Sequence, residues 1–263
     1  MIEMQKSIIK TYWEKRLPQR WYSNKKPGTK EYYDEITFKR YNEHFPYLEE
    51  VAEFNKHAGE KVLEVGVGIG TDLLQYAKYG SICYGIDLTE TAIKITKKRF
   101  KMYGLKAQLQ VADCENLPFD NNFFDLVYSM GVLHHTNDTQ KGVNEVYRVL
   151  KPGGKAIIWL YGKDWWYYFF VPIYHGLLQG ELFKMPYRKM INKHKEIEGN
   201  CPIARHYTPK EAIAMFTKFR KADLYKHRGP ATLGNRFLVL NRAFCKIMNK
   251  LFPGGGMTIK AIK

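Results

Sequence analysis

Between Lys61 and Tyr161 the chain alternates two textures of hydrophobic patterning. Short apolar and β-branched runs at 62–65, 81–86, 107–112, 124–129 and 155–161 are separated by amphipathic stretches of helical length. Strand and helix alternating at this spacing predict βαβ units, and hence an α/β fold with a doubly wound, mostly parallel sheet covered on both faces. After Tyr161 the alternation stops, and it resumes at Thr208-Pro209-Lys210-Glu211, a helix start with Pro in the first turn, running to about Phe219. Further runs at 222–226 and 257–262, the second entered through Pro253-Gly254-Gly255-Gly256, bring the expected sheet to seven strands, with a helix over 235–251 between them. No internal repeat is evident.

Ahead of this region, residues 1–58 carry Trp13, Trp21, Tyr22, Tyr32, Tyr33, Phe38, Tyr41, Phe45, Tyr47 and Phe54, interrupted by a turn at Lys25-Lys26-Pro27-Gly28. Tyr32, Ile36, Tyr47, Leu48, Val51 and Phe54 recur at near-helical spacing with a break at Pro46, which predicts two short helices. The division that follows is an N-terminal helical cap over 1–58 and one domain over 59–263. Within that domain, 163–206 is an aromatic insert after the fifth strand, with Trp165, Trp166, Tyr167, Tyr168, Phe169, Phe170 and Tyr174, read as a lid over substrate or as a segment packed onto the helical cap.

Composition narrows the partners. At 263 residues and 45% apolar content the chain can build a substantial core. No stretch approaches the roughly 18 to 20 apolar residues of a membrane span, and the first residues show no signal pattern, so a cytoplasmic protein is expected. Cys83, Cys114, Cys201 and Cys245 form no C-x-x-C pair and suggest neither a disulfide framework nor a zinc site; no metal is expected. Forty-two Lys and Arg against 26 Asp and Glu leave +16, which favours anionic partners: a nucleic acid, an anionic membrane surface or an acidic small molecule. Lys97, Lys98, Arg99 and Lys101 read as a solvated helix face.

The strongest local signal is Glu64-Val65-Gly66-Val67-Gly68-Ile69-Gly70, an apolar strand running into three alternating glycines and then a helix. Glycines are needed where a chain turns sharply and a ligand lies against bare backbone. Nicotinamide and flavin sites use G-x-G-x-x-G with pyrophosphate on the helix N-terminus, whereas the spacing here is G-x-G-x-G. Glu64 and Asp72 bracket the loop with negative charge that would repel a pyrophosphate and suits the ammonium and sulfonium of S-adenosylmethionine. Asp87, at the end of the second run, can accept from both ribose hydroxyls, and NAD enzymes share this feature. Asp113 can accept from an adenine amino group while the Cys114 backbone N–H donates to the ring.

Taken in order, E-V-G-V-G-I-G, G-I-D-L-T, A-D-C-E-N-L-P-F, F-D-L-V-Y-S-M-G-V-L-H-H-T-N-D and V-L-K-P-G-G-K resemble the class I S-adenosylmethionine-dependent methyltransferases of the UbiE-like (methyltransferase type 11) group. The resemblance covers about Lys61 to Leu160, and more weakly Gly28 to Tyr33 and the helix at Thr208. It implies that Glu64, Gly66, Gly68 and Gly70 line the methionine and ribose end, that Asp87 with Leu88 holds the ribose, and that Asp113 and Cys114 hold the adenine. Ser129 and Met130 would floor the site beside the methyl group, with S-adenosylhomocysteine as product. Asp125 resembles the family's residue within the fourth strand, with packing or capping as the alternative to cofactor contact, and is left out of the site.

Methyl transfer is an in-line displacement in which the enzyme chiefly aligns the nucleophile and excludes water. His134 and His135 follow the fourth strand at the carboxyl edge of the sheet, so one is a candidate general base beside a structural alternative. Tyr32, Tyr33, Arg40, Arg205 and Tyr207 are candidates for an anionic small-molecule or peptide acceptor, which makes carboxylate O-methylation the leading expectation. The alternatives are C-methylation of a quinone-type ring, tRNA methylation, which lacks an N-P-P-Y-like motif and any RNA-binding appendage, an NAD oxidoreductase, and a catalytically silent partner subunit. A weak contact of the aromatic insert with a membrane surface, and a dimer through the N-terminus or the 235–251 helix, are also allowed.

Overall fold

The computed structural model describes residues 2–16, 19–163, 166–195, 201–227, 247, 251 and 255–263. All seven expected strands form: β1 Lys61–Val65, β2 Ile82–Asp87, β3 Gln108–Val111, β4 Phe124–Met130, β5 Leu150–Tyr161, β6 Lys221–His227 and β7 Gly256–Ile262. They make one sheet in the order β3-β2-β1-β4-β5-β7-β6. The pairs from β3 through β5 are parallel, and β7 inserts antiparallel between β5 and β6. The strand order reverses between β1 and β4, which opens a crevice at their carboxyl ends where ligands bind in sheets of this kind. The helix expected over 235–251 falls, apart from residues 247 and 251, outside the described residues.

Strand alternation decides which side chains meet on each face. Leu63 and Val65 of β1 and Val127 of β4 pack with Val143 and Val146 of α6 (Thr139–Val149) and with Ala212 of α8 (Pro209–Ala214). On the other face Val62, Leu126 and Tyr128 pack with Leu73 and Tyr76 of α4 (Thr71–Lys78) and with Ile93 and Phe100 of α5 (Glu90–Met102). Helix starts follow the expected chemistry. Thr89 caps α5, Asp138 caps α6, and Thr208 with Glu211 forms a reciprocal capping box on α8. α8 ends at Ala214, earlier than the pattern suggested, and the chain continues in turns that still bury Phe216 and Phe219. Asp125 accepts from the Lys61 backbone N–H at 2.9 Å and pairs with Lys151.

In the N-terminal region α1 (Ile2–Lys15) is followed by α2 (Lys30–Lys39), a π-helical turn over Arg40–His44, and α3 (Leu48–Ala52). Tyr41, Leu48, Ala52 and Phe54 join the core under the sheet, so the cap shares its hydrophobic contacts with the domain it covers. Glu53 clasps the cap to the sheet through Lys155 on β5 and Lys260 on β7, at 2.7 and 2.6 Å. One basic residue departs from the solvated-face reading. Lys97, Lys98 and Lys101 are exposed, but Arg99 is wholly buried. Its guanidinium donates to the Ile69 carbonyl and Thr71 hydroxyl on one side and to the Tyr33 carbonyl and Thr37 hydroxyl on the other. On a helix, Arg99 lies a full turn from Ile95 and Thr96 on the inward side, so it ties α2 to the glycine loop.

Candidate active site

The crevice is a cavity of about 680 Å³, within the range of about 300–1,000 Å³ typical of small-molecule sites. Its floor is the β1–α4 loop. Gly66 and Gly70 both take left-handed backbone, with φ of 79° and 74°. A Cβ on Gly66 would stand 2.2 Å from Val132 Cγ2, and one on Gly70 2.7 Å from Thr96 Cγ2, so both conformation and space require glycine here. Gly68 donates its N–H to Asp87 Oδ2 at 3.0 Å, locking the loop to the end of β2. Asp87 Oδ1 accepts from the Thr89 N–H and hydroxyl. Burial nevertheless pushes the Asp87 carboxyl above its ordinary pKa. Oδ2 carries one bond and retains accepting capacity towards the cavity.

The two carboxylates flanking the loop have different fates. Asp72 is enclosed: Arg40 donates to it through Nε at 2.7 Å and Nη2 at 2.5 Å, and the hydroxyls of Tyr41 and Tyr128 donate at 2.7 and 2.8 Å. Burial alone would raise its pKa, and the Arg40 guanidinium outweighs that and holds it below the ordinary value. Glu64, 4% exposed, receives the Leu73 backbone N–H, while its Oε2 has no hydrogen-bond partner among the described residues. Burial, reinforced by the charge of Asp72, pushes the Glu64 carboxyl well above its usual range. A buried acceptor of this kind calls for a cation.

Of the residues expected to contact the cofactor, Glu64, Gly66, Gly68, Asp87, Leu88, Asp113, Cys114 and Met130 line the cavity. Gly70 stands behind it as the N-terminal cap of α4, and Ser129 lies wholly buried with its hydroxyl donating to the Val65 carbonyl. Asp113 is in ion contact with Lys6 of α1, which also pairs with Glu115 at 2.9 Å, so α1 closes over that end.

The acceptor candidates scatter. Arg40 lines the cavity with its guanidinium committed to Asp72. Arg205 donates to the carbonyls of Thr136 and Asn137, and the Tyr207 hydroxyl donates to Thr139. Tyr32 and Tyr33 are buried with Tyr22, Ile36 and Ile69, with Arg99 over the Tyr33 ring. None of Tyr32, Tyr33, Arg205 and Tyr207 is among the residues lining the cavity.

The histidine pair separates as well. His134 is wholly buried with its ring 3.9 Å from that of Tyr161. His135 lines the cavity, and its Nδ1 lies 2.6 Å from the Ile203 carbonyl oxygen. A carbonyl oxygen only accepts, so Nδ1 carries a proton and donates to it.

The walls on this side are aromatic: Trp13, Phe45, Tyr47, Trp159 and Tyr161, with Tyr22 stacked on His44 at 3.8 Å between centroids. These residues, with Lys6 and Glu43, were missed as site residues. The richness in aromatics was visible, but no periodicity says which of them turn inward across separate segments.

Residues 63–158 match a protein family described as a methyltransferase domain. Phosphoethanolamine N-methyltransferase 2 of Caenorhabditis elegans is 32% identical over 127 residues, which is 48% of this chain and 29% of that enzyme. The chloroplastic tocopherol O-methyltransferase of Arabidopsis thaliana is 41% identical over 102 residues, 38% of this chain and 29% of the relative. The chain therefore spans less than a third of either. The crystal structure of YcgJ from Bacillus subtilis superposes with a TM-score of 0.54 at 18% identity, covering 81% of this chain and 96% of that one, a likeness of fold.

Proposed function

We propose that this chain, a class I S-adenosylmethionine-dependent methyltransferase, transfers the methyl group to a flat aromatic small molecule through a hydroxyl or amine that surrenders its proton to His135. The observation that carries this reading is the place of His135, its Nδ1 held 2.6 Å from the Ile203 carbonyl oxygen, in the aromatic half of a cavity whose other half ends in Glu64. The donor set suits the cofactor. The unpartnered Glu64 Oε2 would take the ammonium, Asp87 the ribose, and Asp113 with the Cys114 N–H the adenine. When bound, S-adenosylmethionine supplies an electrophilic methyl on a sulfonium with a neutral thioether as leaving group.

The chain's own residues do the rest. Trp159, Tyr161 and Phe45 hold a ring by its faces and exclude water, and His135 Nε2 accepts the proton of the attacking group. Carboxylate O-methylation has weaker support, because the arginines expected to hold an anion, Arg40 and Arg205, are committed within the protein. The tocopherol enzyme, as its name states, methylates an oxygen, which is compatible with a phenolic acceptor here.

A methyl-transfer screen with labelled cofactor across phenols, aromatic amines and carboxylic acids tests the reading. Turnover is expected with the first two classes. Turnover confined to carboxylic acids would overturn the acceptor class, and no heat on titration with S-adenosylhomocysteine would overturn the cofactor.

A further inference from the structure

The cofactor site leaves two features unused: the +16 charge and the apolar surface of the insert. The described insert, 166–195, consists of a π-helical segment Trp166–Leu178, a short turn and α7 (Tyr187–Lys195), and it folds on itself. Val171, Met190 and Ile191 are buried together, with Phe170, Leu182, Met185 and Tyr187 packed against them. Left outside this small core are Phe169, Ile173, Tyr174, Leu177, Leu178 and Phe183, between 42% and 85% exposed. A π-helix turns in somewhat more than four residues, so 169, 173–174 and 177–178 share one face. Contiguous exposed apolar surface of this kind marks an interaction site.

Among the described residues of the insert, the exposed charges are of one sign. Lys184, next in the chain to Phe183, and Lys189 of α7 are exposed. Among the described residues of the insert the one carboxylate, Glu181, is buried and paired with Lys193 at 2.6 Å and His194 at 2.8 Å. We propose that this face docks on the surface of an anionic lipid bilayer, its aromatic and aliphatic side chains entering the headgroup boundary while the lysines meet the lipid charge. Such a site needs an amphipathic face with basic flanks rather than a span, and no described helix is long and apolar enough to cross a membrane. A second copy of the chain is a poorer occupant, because two like-charged rims on molecules of +16 would oppose each other. His194 of the same lobe lines the cavity, so docking sets the cavity beside the lipid.

The test is co-sedimentation of the full chain with phosphatidylcholine vesicles prepared with and without phosphatidylglycerol. Binding is expected to the anionic vesicles and to weaken with salt. The triple variant Leu177→Ser/Leu178→Ser/Phe183→Ser should bind them about tenfold or more weakly, with thermal stability and S-adenosylhomocysteine affinity unchanged. If that variant melts early, Lys184→Glu/Lys189→Glu serves instead and should lose the preference for anionic vesicles. Vesicle binding equal in the variants and the parent would overturn the proposal. So would a concentration-dependent dimer, in analytical ultracentrifugation, that the triple variant dissociates.

Discussion

The two halves of the cavity are built in opposite ways. The cofactor half is drawn from the carboxyl ends of three adjacent parallel strands, so Glu64 to Gly68, Asp87 to Thr89 and Asp113 to Glu115 arrive as short contiguous stretches. Its polar atoms are either fixed by backbone, as Asp87 is by Gly68 and Thr89, or left open, as Glu64 Oε2 is. The acceptor half is assembled from α1, the π-helical turn after α2, the turn after β4 that carries His135, the end of β5 and the entry to β7, each contributing one to three residues. Its surfaces are rings packed on rings. A site that recognises its ligand through backbone and strand ends leaves a local trace in the sequence, whereas one that recognises shape through side chains from distant segments does not.

The sharpest way to break the comparison is to show that the acceptor half carries no chemistry. His135→Ala should lower turnover by about 10²- to 10⁴-fold, the usual worth of a positioned base, with S-adenosylhomocysteine affinity unchanged by calorimetry. His134→Ala, by contrast, empties a buried site and should act on melting temperature before turnover. If the two variants exchange these behaviours, the assignment of the base is wrong.

Next comes Arg40, which sequence reasoning placed on the acceptor and the structure places on Asp72. Arg40→Met leaves a buried carboxylate without its counter-charge and should cost about 3 to 5 kcal/mol of stability in chemical denaturation. The double variant Arg40→Met/Asp72→Asn should recover most of that loss. A stable Arg40→Met protein that has lost only acceptor binding would restore the original reading.

The same contrast explains what could be read beforehand. All seven strands, the helix start at Thr208 and the glycine turn after the first strand follow from period and turn chemistry over neighbouring residues. The partners of Asp72 could not be read that way. Arg40 and Tyr128 lie 32 and 56 positions away, and their pairing depends on how the cap settles on the sheet. Arg99 shows the same limit on a single helix. Its neighbours in sequence are solvated lysines, and only the glycine loop on the far side makes it a buried strut. Tyr32 and Tyr33 looked polar enough for a ligand, yet their rings complete the core beneath Arg99.

Within the cofactor half, Glu64 sharpens the distinction between a group satisfied by the fold and one satisfied by a ligand. Glu64→Gln should weaken S-adenosylmethionine binding by about 2 to 5 kcal/mol, as loss of one partner of a buried charge pair does. The pH dependence has a definite sign. Because the Glu64 carboxyl is raised in the folded protein, the folded state binds the extra proton, so stability without cofactor falls as pH rises above the ordinary carboxylate range. Affinity for the cationic cofactor rises over the same window, since only the ionised carboxylate pairs with the ammonium. Gln removes both trends, and the Gln variant without cofactor should melt above the parent at alkaline pH. A variant that binds the cofactor as tightly as the parent would mean that the ammonium is held elsewhere.

The smallest expected effect lies where the two constructions meet, at Lys6. This residue comes from the cap, yet it holds Asp113, the carboxylate assigned to adenine. Both side chains are between a quarter and a third exposed, so the pair should contribute no more than about 1 kcal/mol, and less in salt. Lys6→Ala releases Asp113 to the ligand and should tighten S-adenosylhomocysteine binding by up to about fivefold at low ionic strength. Adenosine should gain by the same factor, since the change lies at the nucleoside end. If affinity for both ligands instead falls, then Lys6 acts through α1 as a clamp over the nucleoside rather than as a competitor for its carboxylate. The cap would then belong to the cofactor half of the site as well as to the acceptor half.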